Sequence, residues 1–70
     1  MGTVYYNLAC IDALRGSRHG ALGYFRLALE TGWSWHGVDT DTDLESLRGD
    51  PEFEALMEKN RRRVERAQNS

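Results

Sequence analysis

Val4-Tyr5-Tyr6-Asn7-Leu8-Ala9-Cys10-Ile11-Asp12-Ala13-Leu14-Arg15, followed by Gly16-Ser17, decides how this chain of 70 residues folds. Nine of those first twelve residues are apolar. They do not alternate as a half-buried strand would, and they recur at three- and four-residue steps. The spacing predicts a helix from Val4 to Arg15, stopped at Gly16. Its polar residues, Asn7, Asp12 and Arg15, project in different directions, so the helix is apolar around almost its whole circumference. Such a helix is buried on more than one side.

Ser17 is a good N-cap for a second helix, from Arg18 to Thr31, with Gly32 at the left-handed position that follows it. Ala21, Tyr24, Phe25, Ala28 and Leu29 lie on one face. Gly20 and Gly23 weaken this helix, and they suit the close approach of another helix backbone. The segment from 33 to 48 is less regular. Trp33-Ser34-Trp35-His36 reads as a short helical turn. Leu44 and Leu47 read as the buried side of another short helix, capped near Thr40 or Asp41. Asp50-Pro51 then pairs an N-cap with proline at the first helical position, opening a helix from 50 to 66. Its stripe is Phe53, Leu56, Met57 and Val64, interrupted by Asn60. Acids in its first turn and bases later suit the helix dipole. The tail, 67–70, is expected to fray. One proline and few β-branched residues complete an all-α reading as a single domain.

Composition limits the function. The formal net charge is −2, with 40% of residues apolar and 10% aromatic. A nucleic-acid binder relying on bulk charge needs a basic excess, and an acidic disordered tail lacks this apolar content. No apolar run is long enough to span a bilayer, and residues 1–4 lack the features of a signal peptide. The single Cys10 forms no internal disulfide, and no Cys/His spacing suggests a zinc staple. A cytoplasmic protein without cofactor or metal is expected. A chain this short and without a staple must pack very efficiently or bury surface against something else.

The first two helices resemble a tetratricopeptide repeat, a helical hairpin of about 34 residues. Tyr5, Leu8 and Ala9 fit its first half, Gly16 its turn, and Ala21, Phe25 and Ala28 its second half. Asp12 departs from the motif's aromatic, and Trp33 from its terminal proline, so a regular repeat is not expected after Gly32. Tyr6-Asn7-Leu8-Ala9-Cys10 together with Asp41-Thr42-Asp43-Leu44, Leu47-Arg48, Asp50-Pro51, Phe53 and Leu56 is similar to the terminal unit of bacterial tetratricopeptide arrays. The resemblance covers residues 4–58. It implies a non-catalytic scaffold that binds a protein or peptide, with Tyr6 and Asn7 on the groove side.

The excess apolar surface makes the first helix the docking face, with Tyr6, Asn7, Cys10, Ile11 and Leu14 as its residues. The expected partner is another protein, an upstream repeat or a second copy, with no nucleic acid and no membrane. Trp33 and Trp35 are candidate aromatic anchors. A rival reading is a small metal-binding or catalytic protein using His19, His36 and the cluster Asp39-Thr40-Asp41-Thr42-Asp43. That cluster mimics the start of a calcium loop, but Leu44 occupies the position where the loop needs glycine, and Asp50 is short for its twelfth position. The alternative is that these carboxylates cap helices and solvate a loop. The run Lys59–Arg66 lacks an aromatic stacking platform and reads as a solvated helix end. Charge is segregated: 37–54 carries seven acids and one Arg, and 55–70 five bases and two acids.

Overall fold

The computed structural model describes residues 1–69, and the side chains of 1–68. Helix α1 spans Gly2–Leu14, α2 spans Arg18–Glu30, and α3 spans Pro51–Asn69. Two 3-10 helices, His36–Thr40 and Thr42–Leu47, lie between α2 and α3. No strand occurs among the described residues. The all-α expectation holds, and α1 begins two residues earlier than the spacing suggested. Helix α3 continues to Asn69. Ser70 lies outside the described residues.

Helices α1 and α2 form an antiparallel hairpin held close by alanines. Ala9, Ala13, Ala21 and Ala28 are all buried, none more than 3% exposed. Small side chains let the two backbones approach, and larger ones fill the margins. Tyr6 meets Phe25 edge to face at 6.2 Å, and Tyr5 stacks on Tyr24 at 6.5 Å. Phe25 continues the aromatic contact to Phe53 of α3 at 5.8 Å. Val38, Leu44 and Leu47 of the 3-10 helices close the core with Met57.

The connections follow local chemistry. Gly16 has φ +79° and Gly32 has φ +91°, conformations in which a Cβ would be strained. Asp50 Oδ1 accepts from the backbone N–H groups of Glu52 at 2.9 Å and Phe53 at 3.1 Å, so it caps α3 as expected. Glu54 Oε2 reaches back to accept from Gly49 N–H at 3.2 Å. Ser17 stands at the N-cap of α2, but its side chain makes no cap bond. Gly20 lies under the Asp12 carboxylate rather than under a third backbone, and Gly23 has no neighbour that a Cβ would meet.

Trp33-Ser34-Trp35-His36 is not a helical turn, and the cause is Asn60. Trp35 is extended, at φ −156° and ψ 127°. Asn60 is 1% exposed and grips the Trp35 backbone twice. Its Oδ1 accepts from Trp35 N–H at 3.0 Å, and its Nδ2 donates to Trp35 C=O at 3.0 Å. The Trp35 N–H is thereby held from outside the segment, while its carbonyl also accepts from Val38 N–H at 3.3 Å as the first 3-10 helix opens. Arg63 fixes the preceding stretch, donating to the carbonyl of Leu29 and, at 3.2 Å, to that of Trp33. The polar break in the α3 stripe is therefore a clamp.

Asn60→Ala leaves the Trp35 N–H without a partner, while the Trp35 carbonyl keeps the Val38 N–H. At about 1–3 kcal/mol for such a group, chemical denaturation should show a loss of that size, about 1–3 kcal/mol. A loss under about 1 kcal/mol would show that water replaces the amide. Gly23→Ala should raise stability by about 0.5–1 kcal/mol, measured in the same way.

Candidate functional site

Helix α1 buries one side in the chain's own core and turns another to solvent. Tyr6, Ala9, Cys10 and Ala13 point inward. Val4, Ile11 and Leu14 are 54%, 50% and 67% exposed. Together with exposed Asn7 they form a stripe at steps of three, four and three residues, which is one face of a helix. Leu8 is half-buried beside it.

The expected docking face therefore divides. Asn7, Ile11 and Leu14 lie on the exposed stripe. Tyr6 and Cys10 do not: Tyr6 is 5% exposed and Cys10 8%. The reason is a polar contact with a segment distant in the chain. Tyr6 OH donates to Asp41 Oδ2 at 2.6 Å, and Cys10 Sγ lies 4.0 Å from the same oxygen. Asp41 Oδ1 accepts from Asp43 N–H at 2.9 Å, capping the second 3-10 helix. Ser46 Oγ adds a bond to the Ala13 carbonyl at 3.2 Å. Val4 is the stripe residue that the sequence reading left off the face. It stands seven residues before Ile11, and that interval was the available signal.

The aromatic candidates also separate. Trp33 stacks on Tyr6 at 4.7 Å and backs onto Gly2, where a Cβ would overlap its side chain. It covers the open end of the hairpin. Trp35 is 41% exposed, but its ring lies against Gly37 and meets the edge of Tyr6 at 5.8 Å.

Burial keeps Tyr6 and Cys10 protonated. Burial foremost, and then the hydrogen bond to Asp41, push the Tyr6 hydroxyl far above its ordinary 10.0. Burial also raises the Cys10 thiol above 9.0, and the charges of Asp41 and Asp43 add to this against a hydrogen bond to Tyr6 that lowers it. A thiol in that state is a poor nucleophile. Cys10, Asp41 and Asp43 present ligand atoms within 4.8 Å of one another. An ion there would have to take Asp41 from Tyr6 and remove the proton from Cys10.

The residues of the rival reading are dispersed. His19 and His36 are exposed and join no cluster of three metal-ligating groups among the described residues. Asp39 pairs with Arg61 at 3.4 Å, and Asp50, besides capping α3, faces Arg18 at 3.4 Å. Arg61 and Arg62 of the basic run pair with Glu58, and Arg63 holds carbonyls. Helix α3 thus spends several of its cations within the chain. No helix among the described residues is long and apolar enough to cross a membrane. No known family matches this chain, and no curated protein or solved structure does either.

The weakened acidities of Tyr6 and Cys10 set a pH dependence. A group whose pKa is higher folded than unfolded supports the fold below its unfolded value, and that support is lost as pH rises. Cys10 and Tyr6 both have this sign, so the urea midpoint should fall once pH passes about 9 to 10, where these groups ionise in the unfolded chain. Tyr6→Phe should flatten the upper part of that fall. An identical alkaline profile in Tyr6→Phe would contradict the assignment.

Proposed function

We propose that this chain is a non-catalytic interaction module whose α1 stripe docks against a helix outside its own fold, on another protein, a neighbouring repeat or a second copy. The carrying observation is the exposure of Val4, Ile11 and Leu14 along one line of a helix whose opposite side is already packed. Three large aliphatic side chains in register on a chain of 70 residues are a patch and not scattered exposure. Their spacing fits the way an amphipathic helix is read by a partner helix. The alanine-lined hairpin and the capped α3 agree with the resemblance to a terminal tetratricopeptide unit, which would give the stripe to a neighbouring helix and leave α3 facing water. The protonated Cys10 and the paired carboxylates offer no activated nucleophile.

A fluorescently labelled amphipathic helical peptide, with leucine at its heptad a and d positions, is the probe. Anisotropy should rise on titration with the intact chain. Ile11→Glu and Leu14→Glu should each weaken binding about tenfold or more, since each places a charge in an apolar contact. Lys59→Glu on α3 should leave it unchanged. Binding that is absent, or indifferent to Ile11→Glu, would overturn the reading.

A further inference from the structure

The stripe has the order of a two-stranded coiled coil, and its flanks carry opposite charges. With Val4 and Ile11 at heptad position a, Asn7 and Leu14 fall at d, Arg15 at e and Cys10 at g. β-Branched residues at a and leucine at d favour pairs of parallel strands. The inner residues Tyr6, Ala9 and Ala13 fall outside the a, d, e and g set, and Cys10 at g is the one position that the core shares with the pairing flank.

The structure adds what the heptad alone does not hold. Position g is a buried cysteine, yet Asp43 brings a carboxylate to within 4.8 Å of Cys10 Sγ from the second 3-10 helix. The g flank is therefore acidic, supplied by a segment distant in sequence. On the e flank Arg15 has a side chain 73% exposed and only a 3.9 Å contact to Asp12. In a parallel pair, the g flank of one helix faces the e flank of its copy one step further along, so Asp43 faces Arg15 twice. In an antiparallel pair, like flanks face each other, so Asp43 would face Asp43 and Arg15 would face Arg15. Charge selects the parallel arrangement.

We infer that the occupant of the α1 stripe is a second copy of this chain, paired in parallel about a twofold axis running along α1. This rests on the reading of the stripe as a docking face. Val4, Ile11 and Leu14 each meet their own copy, and Asn7 meets Asn7 across the seam at d. Thirteen residues make a helix about 20 Å long. One such seam buries less than the roughly 800 Å² per partner of a stable complex. The dimer is accordingly weak and forms with rising concentration.

Sedimentation equilibrium of the intact chain from about 10 μM to about 1 mM should show a reversible monomer–dimer exchange, the range a seam of this size implies. Ile11→Glu, at an exposed position, should keep the helical circular dichroism and weaken pairing about tenfold or more. Arg15→Glu should weaken it about threefold, as expected of a rim ion pair, and adding Asp43→Lys should restore it. Asn7→Cys should form a covalent dimer on mild oxidation, while buried Cys10 stays reduced. A monomer throughout, or a cross-link between Val4→Cys and Leu14→Cys in preference to Asn7→Cys with itself, would overturn the pairing. If the chain stays monomeric yet takes the helical peptide through Ile11, the docking reading stands and the pairing alone fails. If neither occurs, both fail.

Discussion

The close approach of α1 and α2 on four alanines is the constraint from which the rest of the molecule follows. With Ala9, Ala13, Ala21 and Ala28 in the seam, the hairpin has little volume of its own. Bulk must come from the margins, and Tyr6 and Phe25 supply it on the side facing the 3-10 helices and α3. That choice commits one side of α1 to the core. It leaves Val4, Ile11 and Leu14 with nothing in the chain to cover them. A small domain with no disulfide has few ways to offset that exposure internally.

The second half of the chain acts as a strap, and polar clasps hold it more than its short helices do. Asn60 holds Trp35 by both backbone groups, Tyr6 holds Asp41, and Arg48 donates to the carbonyl of Asp39 at 2.9 Å. Each clasp joins residues far apart in sequence or ties an irregular stretch that has few backbone bonds of its own. The Asn60 and Tyr6 clasps are part-buried, and polar pairs shielded from water are costly when half-satisfied and specifying when complete. Among the described residues no buried side-chain nitrogen or oxygen lacks a partner. The same strap carries Asp43 to the side of Cys10 on α1, so the element that closes the core also sets the charge on one flank of that helix.

Much of this architecture was legible in the sequence where the signal was local. Asp50-Pro51 announced α3 because a cap and its proline act within one turn. Leu44 and Leu47 were readable as core from their spacing, and Gly16 and Gly32 as turns from their conformational freedom. The turn at Trp33–His36 was misread because its extended form depends on Asn60, 25 residues away from Trp35. The same reason applies to Tyr6 and Cys10. In a helix apolar all round, the pattern does not say which side is inward, and Asp41, 35 residues beyond Tyr6, makes that choice. Three of the four stripe residues, Asn7, Ile11 and Leu14, were thus visible, and the division of α1 into a core side and a solvent side was not.

Methyl NMR of the intact chain across a concentration series tests the central claim most directly. The Val4, Ile11 and Leu14 methyls should shift progressively with concentration, while those of Leu44 and Leu47 in the core stay fixed. Concentration-independent methyls along α1, or shifts centred on α3 instead, would contradict it.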